Sequence, residues 1–306
     1  MISGRWVWNI RIFTLIHTPI HSLISFAFGP GVAVLEMDDN FNAITTRYRS
    51  ICSEWFDGNS LSEKEKFVAE SKDPLFKELG RRPNIGYILT EHKKEYLKFK
   101  DSSAEDMFPS ADIHSRFKAL FREWNDAALL CMDTVLSEPV ASSKNTNGTP
   151  SNEEDEEKLP EGMEAMTTLE DRSNIRKFAG IHSSISLIHY FDKKGEKADE
   201  HKMNDKDRRT NRTVEVPLGK HVDTGLMTLI TCSDVVGLEV LDRKTNRYYY
   251  PEQTFDPKKH IFVIAGRKME LFTHKKVVKS TWHQVRIPLE KERNSLLYFM
   301  EIQKDH

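Results

Sequence analysis

The chain is predicted to have an α+β fold, with helices in its first part and a β-core in its second part. Two patterns predict this. Before residue 137, apolar residues recur at three- and four-residue steps in two segments, which is the spacing of an amphipathic helix. From residue 184 onward the pattern changes to short runs rich in β-branched and aromatic residues. Regularly spaced short strands without helices between them are typical of an antiparallel sandwich or barrel.

The first structured element is expected directly after the Gly-Pro-Gly turn at residues 29–31, where the β-branched run 32–35 predicts a strand. The Asp-Asp-Asn sequence at residues 38–40 can then cap a helix. The apolar face of this helix consists of Phe41, Ile44, Tyr48, Ile51 and Trp55. A second amphipathic helix is predicted over residues 111–136, and its apolar face should cover the sheet.

Seven short strands are predicted in the second part of the chain: Ile185–Phe191, Leu226–Thr231, Leu238–Leu241, Tyr248–Tyr250, Ile261–Ala265, Gln284–Ile287 and Ser295–Ile302. Two polar stretches interrupt the apolar pattern. Residues 137–160 carry a run of acids and no apolar periodicity, so they cannot bury enough surface to offset the entropy of ordering. We expect a disordered acidic insertion there. Residues 193–212 are expected to form a solvated loop between two strands.

The charge balance argues against a polyanionic partner. The chain has 45 basic and 47 acidic residues among 306, so no strong net field is available to attract nucleic acid or an anionic membrane surface. The three cysteines, Cys52, Cys131 and Cys232, are widely spaced and lack a Cys-x-x-Cys pair. This spacing argues against a disulfide framework or a zinc knuckle and favours a reducing compartment. We expect a cytoplasmic monomer with a small-molecule substrate.

The N-terminal segment 1–28 allows more than one interpretation. It contains no acidic residue and two arginines, and its apolar stretch is broken by His17, Pro19 and His21. An acid-free segment of this kind is compatible with a mitochondrial presequence, with a secretory signal or with an N-terminal arm of the fold. The polar interruptions argue against a membrane span, which needs about 20 mostly apolar residues.

The chemistry of the chain is indicated by His221, Asp223 and His283. In an extended chain, residues two apart project to the same face, so His221 and Asp223 can converge on one point. His283 begins another predicted strand, which antiparallel pairing could bring opposite the first. Two histidines and one carboxylate on one face form the facial triad of mononuclear iron(II) enzymes, which leaves metal positions open for oxygen chemistry. The His-x-Asp triplet alone is weak evidence, because it arises readily by chance.

A second pair strengthens this interpretation. Arg293 and Ser295 follow His283 along the chain and again share one strand face. A planar guanidinium with an adjacent hydroxyl can grip a carboxylate in a fixed geometry. The sequence therefore predicts an anion clamp beside the metal, although Arg293 could also be a charge at a strand edge.

The sequence resembles the isopenicillin N synthase-like branch of the iron(II)/2-oxoglutarate dioxygenases. Order and spacing agree along the C-terminal third of the chain, with a looser likeness upstream. The matching segments are His221-Val-Asp-Thr-Gly, Thr228-Leu229, Gly237-Leu238-Glu239-Val240, Leu271-Phe-Thr, Lys279-Ser280-Thr281, His283-Gln-Val and Arg293-x-Ser295, preceded by Gly86-Tyr87, Lys94-Glu95-Tyr96 and Leu187-Ile-His-Tyr190-Phe191.

This resemblance implies a double-stranded β-helix (jelly roll) core over residues 161–306, preceded by an N-terminal helical module over residues 29–136. It also implies that His221, Asp223 and His283 bind Fe(II). Arg293 and Ser295 would hold the distal carboxylate of the cosubstrate 2-oxoglutarate, with Tyr190 assisting. The enzyme would use O2 to hydroxylate or desaturate a small organic substrate, with release of succinate and CO2.

The sequence departs from the family pattern at two positions. Gln284 stands where the family usually has arginine, and Arg267 stands where an acid is usual.

Two alternative functions remain open. One alternative is an oxidase similar to isopenicillin N synthase itself, in which the clamp binds the substrate carboxylate and no keto acid is consumed. The other is a catalytically silent jelly roll that serves as a binding module. His189 is expected to be structural, because it points to the opposite strand face from Tyr190.

Overall fold

The computed structural model describes residues 12–14, 32–67, 85–90, 94–137, 183–191, 205–206, 213–243, 245–272, 278–288 and 291–302. Four helices lie in these ranges: α1 (Asp39–Gly58), α2 (Leu61–Lys64), α3 (Ala111–Ser137) and α4 (Arg267–Phe272). The strands are β1 (Ile12–Thr14), β2 (Val32–Glu36), β3 (Gly86–Thr90), β4 (Lys94–Lys100), β5 (Ser184–Tyr190), β6 (Asp205–Lys206), β7 (Thr213–His221), β8 (Met227–Thr231), β9 (Leu238–Asp242), β10 (Arg247–Tyr249), β11 (His260–Ala265), β12 (His283–Pro288) and β13 (Arg293–Met300).

The strands form two sheets. The larger sheet has the order β1-β2-β11-β8-β13-β5-β4-β3, and the smaller one has the order β10-β9-β12-β7-β6. All neighbours pair antiparallel except β1 and β2. A buried apolar cluster draws side chains from strands of both sheets, including Ile188, Ile230 and Phe262 from the larger and Val240 and Val285 from the smaller. The predicted α+β fold with a jelly-roll core is confirmed.

The two long helices cover the outer face of the larger sheet, as the sequence predicted. Asp38 caps α1 by accepting a hydrogen bond from the backbone N–H of Phe41 at 2.6 Å. Trp124 of α3 is fully buried; its indole N–H donates to Thr45 of α1 at 3.1 Å, and its ring stacks on Phe41 with centroids 5.8 Å apart. These contacts join α1 and α3 into one layer, whose apolar cluster continues into the sheet through Ile185 and other buried strand residues.

Strand β4 alternates between the two sides of the larger sheet, as period-two geometry requires. Leu97 and Phe99 join the core under the helices, whereas Tyr96 packs in the cluster between the sheets. Lys94 and Lys98 share the register of Tyr96 and therefore face the sandwich interior. The predicted helical module, residues 29–136, thus supplies strands to the same sheet as the jelly roll.

The structure contains several elements that the sequence analysis did not predict. Strands β3 and β4 lie in the segment predicted as a helical module, and β7 leads to His221 where no strand was predicted. Residues Asp205–Lys206 form a short strand against β7, within the segment that was expected to be a loop. A short helix, α4, lies between β11 and β12, although no helix was expected among the late strands. Most of segment 1–28 and all of 138–160 lie outside the described residues.

Two further features bear on the environment of the chain. All three cysteines are free and buried. Within the described ranges, no helix combines the length and apolar character needed to cross a bilayer.

Candidate metal centre

The two predicted histidines face each other across a strand pair. His221 is the last residue of β7 and His283 is the first residue of β12, and the antiparallel register places them directly opposite. Their ring centroids are 4.2 Å apart. Asp223 lies just beyond the end of β7, with its Oδ1 atom 3.6 Å from His221 Nε2 and 3.8 Å from His283 Nε2. The three predicted metal ligands therefore converge on one point.

The tautomers of both histidines are set by the backbone. Each Nδ1 lies within hydrogen-bond distance of a carbonyl oxygen two residues earlier: 2.8 Å to Gly219 for His221 and 2.9 Å to Thr281 for His283. A carbonyl oxygen only accepts, so Nδ1 carries the hydrogen and the neutral ring keeps its lone pair on Nε2. Both Nε2 atoms point toward Asp223, which is the arrangement that a metal-ligating histidine needs.

Asp223 is held in place by its backbone as well as its side chain. Thr228 donates a hydrogen bond to its Oδ2 at 2.5 Å, and the backbone N–H of Arg267 donates to its carbonyl at 2.7 Å. Gly266 makes this close approach sterically feasible: a Cβ atom there would lie 2.1 Å from the carbonyl oxygen of Gly225 and 3.1 Å from that of Asp223. The turn after β7 is thus packed against the start of α4.

The electrostatics of the three groups favour an ionised Asp223 and a neutral His283, whereas His221 holds a proton more readily than an ordinary histidine. Burial alone raises the pKa of Asp223, but the neighbouring His221 and His283 and the hydrogen bond from Thr228 lower it below its ordinary value. Burial lowers the pKa of His283 below its usual range, and Asp223 only partly offsets this effect. For His221, burial lowers the pKa, while the bonds to Asp223 and Gly219 raise it above the ordinary value.

Among the described residues, one other group could bring three ligand atoms together: Asp57, His189 and Glu292. Both of its acids are exposed, and His189 Nδ1 is already 2.8 Å from the carboxylate of Glu95. The triad of His221, Asp223 and His283 is partly or fully buried and has the two-histidine, one-carboxylate composition that suits mononuclear iron(II) with open positions. The donor set therefore fits iron(II).

The predicted clamp residues also lie together. Arg293 is 2% exposed and donates to the hydroxyl of Ser295 through Nη1. Tyr190 stands opposite Arg293 in the β5/β13 pair, and the guanidinium carbon lies 5.7 Å from the centre of its ring. Burial raises the pKa of Tyr190 to about 12, with Arg293 acting against this and both Glu252 and Asp223 adding to it. Tyr190 is therefore within electrostatic reach of both the clamp and the metal triad.

Glu252 completes the clamp and was missed by the sequence analysis. Its fully buried carboxylate lies 2.6 Å from Arg293 Nη2. It also accepts backbone hydrogen bonds from Ser233, Gly237 and Leu238 at 3.1, 2.7 and 2.9 Å. The guanidinium is thus fixed to the loop before β9. The signal in the sequence was faint, because Glu252 stands in a short 3₁₀ turn with no motif spacing to Arg293.

The two departures from the family pattern have structural partners. Gln284, next to His283, donates through its amide to the buried carboxylate of Glu239. Arg286 lies 3.1 Å from the same carboxylate. Both Gln284 and Arg286 of β12 therefore contact the Glu239 carboxylate on β9. The guanidinium of Arg267 lies 3.6 Å from Glu270 within α4. The side chain of Arg267 is not a candidate metal ligand, although its backbone N–H donates to the carbonyl of Asp223.

Part of the chain matches a known protein family. Residues 183–302 match the sequence profile described as the 2OG-Fe(II) oxygenase superfamily, a range that contains all six predicted site residues. None of the curated protein sequences compared with the chain matches it.

Solved structures share the fold at low sequence identity. A Shewanella oneidensis protein named as an oxygenase is 13% identical with a TM-score of 0.65, covering 97% of this chain and 91% of its own. The dioxygenase for auxin oxidation 1 of Arabidopsis thaliana, solved as a 2-oxoglutarate complex, is 14% identical with a TM-score of 0.62 over 97% and 94%. A full-length Neurospora crassa protein in complex with alpha-KG is 15% identical with a TM-score of 0.57 over 90% and 76%.

Proposed function

We propose that this chain, whose residues 183–302 match the 2OG-Fe(II) oxygenase superfamily profile, holds Fe(II) through His221, Asp223 and His283. The enzyme is an Fe(II)- and 2-oxoglutarate-dependent oxygenase. When bound, the iron and 2-oxoglutarate supply the oxidising power drawn from O2, with release of succinate and CO2. The observation that carries the residue assignment is the convergence of both Nε2 atoms on the Asp223 carboxylate.

The role of the protein in this chemistry is orientation. The carbonyls of Gly219 and Thr281 keep each ring in the tautomer that presents a lone pair at Nε2. Thr228 holds one oxygen of Asp223 and leaves the other facing the histidines. Such supporting contacts typically account for a 10- to 100-fold difference in metal affinity.

We further propose that Arg293 and Ser295 bind the distal carboxylate of 2-oxoglutarate, with Tyr190 beside them. The burial of Arg293 supports this, because a buried carboxylate needs a charged, hydrogen-bonding partner. Two structurally similar proteins, from Arabidopsis thaliana and Neurospora crassa, were solved with 2-oxoglutarate or alpha-KG. This favours the keto-acid-dependent reaction over the oxidase alternative.

The metal assignment is tested by anaerobic Fe(II) titration of the apoprotein. We expect about one Fe(II) to bind to wild type, and His221→Ala, Asp223→Ala and His283→Ala each to abolish binding. His260→Ala is a matched control, since His260 lies at the start of β11 and hydrogen-bonds within its own turn. The metal content of the protein as isolated is not informative, because zinc generally binds more tightly than iron(II) and can displace it. Undiminished Fe(II) affinity after Asp223→Ala would remove that residue from the site.

The cosubstrate is tested by oxygen uptake with and without 2-oxoglutarate, in the presence of a mixture of small organic acids, amines and phenols. We expect uptake and succinate release only with 2-oxoglutarate. Consumption of oxygen without any keto acid would favour the oxidase alternative instead. The free cysteines support our proposal of a reducing compartment such as the cytoplasm, where we propose that the protein is a monomer.

A further inference from the structure

We propose that Lys94, Lys98 and Ser186 form a substrate subsite on the interior face of β4 and β5, and that the substrate carries a carboxylate. This inference rests on the proposed function, because it names the class of substrate for the same site. None of the three residues has a place in the metal triad or in the clamp.

The sheet register places the subsite next to the clamp. Lys94 stands opposite Tyr190 in the β4/β5 pair, and Tyr190 stands opposite Arg293 in the β5/β13 pair. Directly paired residues project to the same side of a sheet, so these three side chains form a row across three adjacent strands. Lys98 stands opposite Ser186 four residues further along β4, with the Tyr96 and Ile188 pair between them. All of them face the space between the two sheets.

The polar atoms of this subsite have no partner of their own. Lys94 is 6% exposed, and no hydrogen bond or ion pair of its ammonium occurs among the described residues. Burial lowers the pKa of Lys94 and, against the partial opposition of Glu301 and Asp223, that of Lys98. The hydroxyl of Ser186, which is 1% exposed, also lacks a hydrogen-bond partner within the described structure. A buried polar group without a partner is costly, so Lys94 and Ser186 would each be stabilised by a bound polar ligand, and the half-buried Lys98 lies directly opposite Ser186.

The ammonium groups lie against aromatic rings that leave their charge uncompensated. Lys94 Nζ is 5.6 Å from the ring centre of Tyr96, and Lys98 Nζ is 5.0 Å from that of Phe299. A cation on an aromatic face is attracted to it but keeps its full charge. The rings thus form apolar walls around two charged ends, which is the lining that a small organic acid requires.

The subsite also lies near the metal centre. The ring of Phe299, which contacts Lys98 Nζ, belongs to a residue that stands opposite Thr228 in the β13/β8 pair. Thr228 in turn donates a hydrogen bond to Asp223. Lys98 is therefore linked to the triad through two side chains on the larger sheet. A substrate anchored there by its carboxylate would present its carbon skeleton to the iron.

The charge balance of the loaded site points the same way. Two positive charges of Fe(II) cancel the two negative charges of 2-oxoglutarate, and Glu252 cancels Arg293. Glu301 is already paired with Lys268 at 2.7 Å. Asp223 can offset only one of the two lysines, so a positive charge remains in a poorly hydrated space. An anionic substrate removes this excess charge, whereas a neutral substrate leaves it.

The test uses probes of matched size and carbon skeleton, one charged and one neutral: 3-phenylpropionate against 3-phenylpropionamide, and octanoate against octanamide. Binding is measured by calorimetry on the anaerobic protein loaded with Fe(II) and 2-oxoglutarate. We expect at least one carboxylate to bind about tenfold or more tightly than its amide, which corresponds to ~1.4 kcal/mol. Lys94→Met and Lys98→Met, which keep side-chain length and remove the charge, should each abolish this preference. Lys258→Met, at an exposed position, should retain it.

The outcomes separate this inference from the proposed function. In the same samples 2-oxoglutarate should still bind to all three lysine variants, since Arg293 and Ser295 are intact in each. Failure of 2-oxoglutarate to bind wild type would overturn the proposed function. Normal 2-oxoglutarate binding together with equal affinity for both members of each pair, or with the preference intact in both Lys94→Met and Lys98→Met, would overturn the subsite. Removing an uncompensated buried charge should raise the melting temperature of Lys94→Met, so misfolding is not an expected complication.

Discussion

The guanidinium of Arg293 is held on three sides by the protein alone. Nε donates to the carbonyl of Val235 at 3.1 Å, Nη2 lies against Glu252, and Nη1 donates to Ser295. Such contacts fix the plane of the group before a ligand arrives, which reduces the entropy lost on binding. Glu252 also removes much of the cost of burying a positive charge in the unliganded protein.

At the residue scale, we predict that Arg293→Ala raises the apparent Michaelis constant for 2-oxoglutarate about 30- to 5,000-fold. This range corresponds to ~2–5 kcal/mol for removing one partner of a buried charge pair. Arg293→Lys should recover only part of the loss, because it keeps the charge but lacks the planar fork. Succinate-release assays measure the constant, with Fe(II) titration as the control for an intact metal site. An unchanged 2-oxoglutarate dependence in Arg293→Ala would show that the clamp lies elsewhere.

A double variant distinguishes ligand binding from stability at the same position. Arg293→Ala leaves the Glu252 carboxylate buried and unpaired, and we expect it to lower the free energy of unfolding by about 3–5 kcal/mol. Adding Glu252→Gln removes that charge and keeps an acceptor oxygen for the backbone, so most of the stability should return in denaturant titration. The weak 2-oxoglutarate binding should persist. If binding recovers together with stability, Arg293 has only a structural role.

The elements of this fold were predictable to different degrees. Both long helices and most strands were found within a few residues, because one-sided burial imposes a clear apolar period. The short strand β6 was not, since its residues are charged and its pairing with β7 depends on backbone contacts. Glu252 and Lys94 were missed as site residues for a related reason. Their roles come from strand register and loop packing between distant segments, and a polar residue in an alternating strand normally indicates a solvated face.

At the element scale, the contact between the turn after β7 and the start of α4 depends on Gly266. We predict that Gly266→Ala displaces the backbone of Gly225 and Asp223, because the added Cβ would lie 2.1 Å from a carbonyl oxygen. Fe(II) affinity should fall at least tenfold and the melting temperature should drop. Gly58→Ala is the matched control, since nothing lies within 4 Å of a Cβ there. Wild-type Fe(II) affinity in Gly266→Ala would mean that the turn can shift without moving the ligand.

At the scale of the whole molecule, acid stability should depend on Glu95, which ties together α2, β3, β4 and β5. It accepts from Lys64 at 3.1 Å and from Tyr87 at 2.7 Å, and it lies 2.8 Å from His189. Burial raises the pKa of Glu95, but these three partners together bring it below its ordinary value. A depressed folded-state pKa contributes stability above the unfolded value of ~4.3, and the contribution is lost as pH falls through the folded value.

We therefore predict that wild type is more stable than Glu95→Gln near neutral pH, and that the difference shrinks below about pH 4 as Glu95 takes up a proton. Denaturant titrations at a series of pH values measure this difference. Glu54→Gln, at an exposed position on α1, should show little difference at any pH. A gap between wild type and Glu95→Gln that is constant down to strongly acidic pH would show that the carboxylate charge contributes nothing.

The acidic insertion predicted over residues 137–160 remains a prediction from composition, although Ser137 itself is the last residue of α3. Deleting the insertion should leave the melting temperature and basal 2-oxoglutarate turnover nearly unchanged, because its sequence cannot support a packed core. Thermal unfolding and succinate release are measured on the deletion variant beside wild type. A large loss of either would identify the segment as part of the cover over the metal centre.

The strands that precede residue 137 have two roles in the larger sheet. Strands β2 and β4 close the outer edges of β11 and β5, and a fragment limited to residues 183–302 would expose both edges as templates for aggregation. The same strand β4 carries the two lysines beside the metal centre. A duplicated gene could therefore not acquire a new substrate by replacing the segment that contains β2 and β4 with an unrelated sequence. Each step toward a different substrate must preserve a strand on which folding itself depends.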